Sequence, residues 1–288
     1  MEDLFNAVSD YAKDKLIDGI VYLLEGLFGD VNTMVGSVSA KVSIGPAEFL
    51  PNVYPMIKQT SEDVLMPIAG IILTFIACYE MIQLVISHNN LANFETWIFF
   101  KWFIKTVIAV ELITHCFDIT MAVFDLTCEV AANAGSFIQG STEITGLEMA
   151  HLKFNLGQMG YGELLAIYGE IAMLSTGFKI ISLVIFVIIY GRMIEIYLLI
   201  SMAPIPFATF GNREQSHIGQ NYFRSLLAIG FQGFLIIIVV GIYAMLIQNI
   251  TYSDDVVATM WGLFGYNILL AFSLFKTGTL SKRIFSAQ

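Results

Sequence analysis

The sequence predicts an all-α integral membrane protein: five transmembrane helices preceded by an N-terminal amphipathic helix. Three observations carry this. Apolar residues make up 57% of the 288-residue chain and charged residues only 13%, about half the roughly 25% of a soluble domain. Mean hydropathy is +0.74. Prolines are clustered, at Pro46, Pro51, Pro55 and Pro67 and again at Pro204 and Pro206, so the long apolar runs between them are free of the strongest helix breaker. Such runs suit a bilayer, where a continuous helix satisfies its own backbone polar groups.

Residues 1–31 read as an amphipathic extracytoplasmic helix. Leu4, Val8, Tyr11, Ala12, Leu16, Ile20, Leu23, Leu24, Leu27 and Val31 recur at three- and four-residue spacing, with Asp3, Asp10, Asp14 and Asp18 on the other face. The run is too interrupted to span. Helices that lie on membranes are rich in Lys and Arg; this acidic face points to protein contact. Residues 32–62, with Gly, Ser and three prolines, read as a linker or an ordered loop.

The five-span membrane domain covers 64–288, with long helices extending beyond the bilayer. The first span is 64–87, with Pro67 in its first turn, where a missing N–H costs nothing. Residues 88–134 contain neither Gly nor Pro. A helix over 96–134 would be roughly 58 Å long, against a hydrocarbon core of about 30 Å, so its second half should project. On that half Asp118, Asp125 and Glu129 share one face, and Ile119, Val123, Leu126 and Val130 another. Val123, Leu126 and Val130 are the candidate assembly face, since an uncovered apolar face marks an interaction site. Residues 135–163 form a Gly-rich polar loop. The remaining spans are 164–203, 226–250 and 256–275, followed by a polar tail.

Orientation follows Lys and Arg near the span ends. Arg192, Arg213 and Arg224 surround the loop at 205–223, and Lys276, Lys282 and Arg283 lie in the tail. The 135–163 loop holds only Lys153, and 251–255 only Asp254 and Asp255. The C-terminus and the 205–223 loop are therefore cytoplasmic and the N-terminus outside. Lys13, Lys15, Lys41 and Lys58 run against this, but their segment is long and rich in acids.

Composition and motifs exclude several function classes. A net charge of −10 and a pI near 4.8 oppose a nucleic-acid-binding surface. Cys78, Cys116 and Cys128 sit in apolar segments without zinc spacing and read as buried hydrophobes. No P-loop, HExxH or GxSxG motif occurs, so no catalytic site, metal or cofactor is expected. The acidic first ten residues do not form a signal-peptide n-region.

Glu80, Lys101, Lys105, Glu111, Lys179, Arg192 and Glu195 lie within apolar segments. Such residues face a bundle interior, a partner or a water-filled path. Glu80 should meet Lys101 or Lys105 across an antiparallel helix pair, and the sequence does not choose between them. Arg192 and Glu195 can pair locally at i, i+3. Structural pairing is the leading reading, with Glu111 the one candidate for a proton relay. Pro204 and Pro206 end or break the third segment. With Phe207, Arg213 and Arg224 they read either as a plain terminator or as a shaped cytoplasmic elbow that docks a partner.

Arg192-Met-Ile-Glu195, the following APIPFATF, Gly219, Tyr222-Phe-Arg224 and Gln232 together resemble the core of the TrbL-like family. This family is the polytopic inner-membrane channel subunit, the sixth VirB-type protein, of type IV secretion systems. The resemblance covers about 64–288. It implies a non-enzymatic channel or scaffold subunit of a conjugative DNA-transfer machine in a bacterial inner membrane. It further implies homo-oligomerisation, separate ATPases among its partner subunits, and transient contact with a DNA–protein substrate. A small secondary transporter or ion channel is the alternative; it calls for inverted repeats and matched broken helices, and the sequence offers one break. A scaffold with no conduction path would share the same sequence features.

Overall fold

The computed structural model describes residues 2–87, 96–136, 153–212, 214–248 and 256–287, and every regular element among these is helical. In order they are α1 (Glu2–Ser43), α2 (Pro46–Phe49), α3 (Tyr54–Gln59), a π-helical turn (Thr60–Leu65), α4 (Met66–Ser87), α5 (Thr96–Thr114), α6 (Cys116–Ser136), α7 (Tyr161–Met202), α8 (Pro204–Thr209), α9 (Ser216–Gln248) and α10 (Val256–Ile284). Among the described residues four helices are long and apolar enough to cross a membrane, and the bent α5–α6 pair makes a fifth if it counts as one span. The protein is thus an all-α, multi-pass membrane protein. The polar turn at 88–95, most of the 135–163 loop and the hairpin at 251–255 lie outside the described residues.

The chain divides into two compact units. The first comprises Met1–Lys41, Asn133–Ile189 and Ile236–Lys276. Its α1 buries Ile17, Ile20, Val21, Leu24, Leu27, Met34 and Val38 at helical spacing. Gly19 lies under the Tyr168 ring, 3.1 Å from where a Cβ would stand. Lys13 Nζ donates to the Gly157 carbonyl at 2.9 Å, and Lys153 lies 3.5 Å from Asp18. From Ile17 to Val38 the buried side chains of α1 are thus covered by its own chain, whereas Tyr11 and Tyr22 are exposed. The helix also runs on to Ser43, through the first part of the expected linker. On the other side of α7, the Phe178 and Phe264 rings pack 5.7 Å apart.

The second unit comprises Val42–Ala132, Tyr190–Leu235 and Thr277–Gln288. Its core gathers Phe117 and Phe124 from α6, Met193, Ile196 and Ile200 from α7, and Leu226 from α9. The connection between α1 and α3 contains the short helix α2. Tyr197 holds it: the hydroxyl donates to the Pro46 carbonyl at 2.7 Å and accepts from the Leu50 N–H at 3.1 Å.

Two expectations about helix continuity change. Pro67 does not sit in the first turn of its span, because helical structure begins at Tyr54. A proline inside a helix collides with the carbonyl four residues back. The π-turn immediately before it widens the ladder, and the Met66 N–H bonds to Ser61 O, five residues away. The 96–134 segment is not one long straight helix. It bends by 63° between α5 and α6, around His115. No Gly or Pro is present to cause the bend; packing provides a reason, since the turn takes Cys116 and Phe117 into the core, where they are almost fully buried. At 19 residues, α5 alone is about 28 Å long, close to one bilayer core.

At Gly230 α6 and α9 lie close together: a Cβ there would lie 2.7 Å from Thr127 Oγ1, whereas Gly262 faces open space. Gly230→Ala should therefore destabilise the detergent-solubilised protein by about 1–3 kcal/mol through overpacking. Gly262→Ala should leave it unchanged or slightly stabilised. Thermal unfolding of both variants checks this, and equal melting temperatures would contradict a tight crossing.

Candidate functional site

The ionisable residues of the apolar helices fall into separate places, and all of those singled out but Lys179 lie in the second unit. On α4 and α5, Lys105 Nζ donates to both Glu80 carboxylate oxygens, at 2.7 and 2.9 Å. The Glu80 side chain is only 17% exposed. One turn away Lys101 takes another course, its ammonium 5.5 Å above the Trp97 ring. The pair borders a cleft of about 1010 Å³ formed by α4, α5 and the turn after α8, which adds Asn212 and Glu214. Within it Gln83 Nε2 donates to the Tyr79 hydroxyl at 2.8 Å and approaches Glu214 Oε1 at 3.4 Å. Trp102 Nε1 donates to the Ala77 carbonyl at 3.3 Å and joins the two helices beside the ion pair.

Arg192 and Glu195 do not pair with each other. Three residues apart on a helix, they diverge by about 60°, and each finds a partner on a different element. Arg192 is 4% exposed; its Nε donates to Ile229 O and its Nη2 to Gly230 O, each at 3.3 Å. Gly233 makes room, since a Cβ there would stand 2.7 Å from Nη2. Glu195 is partly exposed and accepts from Lys282 Nζ at 2.8 Å, tying α7 to the end of α10. The same seam is polar inside: Gln232 Nε2 donates to Thr277 Oγ1 at 3.3 Å, and Ser281 Oγ donates to Ala228 O. Lys282, Thr277, Ser281 and Tyr197 were not singled out by sequence as contact residues. Thr277 and Ser281 carry a signal, two small hydroxyls at i, i+4 on an apolar helix, which is how membrane helices are held together.

The proline break folds inward. Pro204 is the first residue of α8, which packs on α4 and α5. Phe207 is 3% exposed, its ring 5.4 Å from Phe210 and 6.0 Å from Tyr222. It cannot be the surface that docks another protein, because its own chain already covers it. Side chains satisfy the interrupted backbone: Thr209 Oγ1 accepts from the Gly219 N–H at 3.1 Å, and Asn212 Oδ1 accepts from the Glu214 N–H at 2.7 Å. Pro206 is half-buried and Arg224 exposed. Arg213 lies outside the described residues.

The α6 faces are rotated from the expected ones. The buried residues are Cys116, Phe117, Thr120, Met121, Phe124, Thr127, Cys128 and Ala131. Val123 is half-buried and packs against that core, Val130 is half-buried, and Leu126 is 58% exposed. Glu111 is exposed at the α5–α6 bend, 3.6 Å from His115, which lies 3.8 Å from Asp118. That exposed position does not suit a relay buried in the bundle. Lys179 is exposed on α7. Among the described residues no group of His, Cys, Asp and Glu is arranged to hold a metal ion.

A family model described as TrbL/VirB6 plasmid conjugal transfer like protein matches residues 31–204, well over half the chain. The match begins inside α1, takes in the expected linker and ends at Pro204. Most of the elbow and the last two long helices follow it. No curated protein and no solved structure gives a significant match.

The Glu80–Lys105 contact generates a double-mutant test. Glu80→Gln alone should destabilise the protein, because it leaves a half-buried ammonium without its carboxylate. Glu80→Gln combined with Lys105→Met should cost less than the sum, with a coupling of about 0.5–3 kcal/mol. Lys101→Met should show no coupling to Glu80. Thermal unfolding in detergent measures all three, and strict additivity for Lys105 would deny the pair any energetic role.

Proposed function

The chain belongs to the TrbL/VirB6 family of plasmid conjugal transfer-like proteins, and from that premise we propose that it is the channel or scaffold subunit of a type IV secretion machine. It helps form the translocation path across the bacterial cytoplasmic membrane. The family match over 31–204 carries this reading, and the set of bilayer-length apolar helices fits it. The chain has no P-loop, so the work of transport falls to partner ATPases. The described helix breaks weigh against a secondary transporter, whose broken helices occur in matched pairs. One break here is a bend without Gly or Pro at His115, and the other a short proline-led helix after Ala203.

Deleting the gene from a donor cell that carries the transfer element should abolish conjugation, and supplying it in trans should restore it. Undiminished transfer from the deletion strain would reject the role. Leu126, large, apolar and exposed on acidic α6, is our proposed contact with a further copy or another subunit. Leu126→Glu should abolish transfer and assembly while leaving a monodisperse protein. Val123→Glu should instead impair folding, since Val123 supports the core. An intact complex in the Leu126 variant would remove it from the interface.

We place the N-terminus outside and the C-terminus in the cytoplasm, on the arginines and lysines at 192–224 and 276–283. In a cysteine-free background, a cysteine at Ser141 should react with a membrane-impermeant thiol reagent in intact cells, and one at Ser216 should not. The opposite labelling pattern would invert the topology.

A further inference from the structure

Beside the Glu80–Lys105 pair, α5 borders a second depression. It is a groove of about 440 Å³, with Lys101 and Lys105 at one end, Ile104, Ile108 and Leu112 along its floor, and Phe210 from the elbow opposite. The two lysines are four residues apart and share a helix face. No carboxylate lines this groove; Glu80 lines the larger neighbouring cleft instead. Lys101 forms no ion pair with a described residue, and its ammonium lies over Trp97. Lys105 is held by Glu80, and Glu214 lines the neighbouring cleft, so the cation offered to this groove is Lys101, with no carboxylate in ion-pair contact among the described residues.

The rest of the groove is apolar. Ile104 and Ile108 are 42% and 53% exposed, and Trp97 59%, on the helix that forms a candidate span together with α6. From Lys101 to Leu112 the helix rises roughly 16 Å, close to the roughly 15 Å depth of one leaflet's hydrocarbon. Trp97 and Trp102 flank the lysines, as tryptophans do at headgroup level. A small soluble anion would use the lysines and leave the apolar floor without a purpose. A peptide would set its backbone N–H and C=O groups against isoleucine and leucine, which cannot bond them. A molecule with one anionic group and a long apolar tail uses both ends.

We propose that this groove is a binding site for a monoanionic phospholipid of the phosphatidylglycerol type. The phosphodiester sits at Lys101 and Lys105, and one acyl chain lies along Ile104, Ile108 and Leu112. Basic pockets between membrane helices bind anionic headgroups in this way. The inference rests on α5 being membrane-embedded and not on the transfer role, so the two stand or fall separately.

The test uses the full chain reconstituted in nanodiscs of equal phosphatidylcholine and phosphatidylglycerol, re-extracted in mild detergent. Co-purified lipid is counted by native mass spectrometry; transfer is not a readout. Phosphatidylglycerol should be enriched at least fivefold over phosphatidylcholine. Lys101→Gln should bring that ratio close to one, and Lys101→Arg, which keeps the charge, should preserve it. Ile108→Trp fills the groove but leaves both lysines, and should also abolish enrichment. Millimolar inorganic phosphate should not compete. Equal retention of the two lipids by the unmodified protein would overturn the site, as would unchanged enrichment in Lys101→Gln. Loss of enrichment in Lys101→Arg would show that the residue acts through the fold and not its charge. Enrichment surviving Ile108→Trp would remove the acyl chain from the groove, and displacement by phosphate would make the site one for a free anion; either result rejects the proposal.

Discussion

Backbone polar groups at membrane depth have no water to bond, and this constraint governs where the chain interrupts its helices. At two interruptions in the second unit side chains replace missing backbone partners. Tyr197 serves both a carbonyl and an N–H of the passage between α1 and α3. Thr209 and Asn212 do the same for the turn after α8. The π-turn before Pro67 solves a related problem within the helix, by shifting hydrogen bonds to a wider spacing rather than losing them. Leaving such groups unpaired would cost about 1–3 kcal/mol each, a large part of the stability of a folded domain.

The same environment explains what joins the helices. Lipid tails are as apolar as leucine, so apolar burial gives little net drive toward association, and close packing and polar contacts take over. The second unit uses both. Glu80–Lys105 links α4 to α5, Arg192 links α7 to two carbonyls of α9, and Glu195–Lys282 links α7 to α10. Gly230 and Gly233 remove the Cβ atoms that would hold Thr127 and Arg192 away. Arg192 suits its place because a planar guanidinium with several N–H donors reaches two carbonyls at once, which a lysine ammonium on a flexible stem does less well.

Around α5 these roles overlap. Lys101 and Lys105 line both the larger cleft and the apolar groove. One lysine is occupied by Glu80, and the other is left over an aromatic ring without a carboxylate among the described residues. The elbow supplies the far wall of each depression: Phe210 and Gly211 for the groove, Asn212 and Glu214 for the cleft. The inward fold of the proline break thereby shapes the surface beside α5.

The sequence by itself determined the class of the protein. Composition, the clustering of prolines and the length of the apolar runs are properties of the chain alone, and the all-helical, multi-pass class follows from them. The family was legible as well, through residues around Arg192 and Pro204. What only the tertiary structure decided was partner choice. Helical periodicity places Lys101 and Lys105 on one face but does not set the height of α4 beside α5, which brings Glu80 to Lys105. Local spacing favoured Arg192–Glu195, yet α9 and α10 supplied partners from 37 and 87 residues away. The buried face of α6 was likewise left to the tertiary structure. Asp118, Asp125 and Glu129 marked the solvent side, but the bend at His115 and the packing of Phe117 and Phe124 set which of the remaining residues turned inward. Periodicity is fixed by covalent geometry, whereas a helix's rotation and register are fixed by the surfaces packed against it.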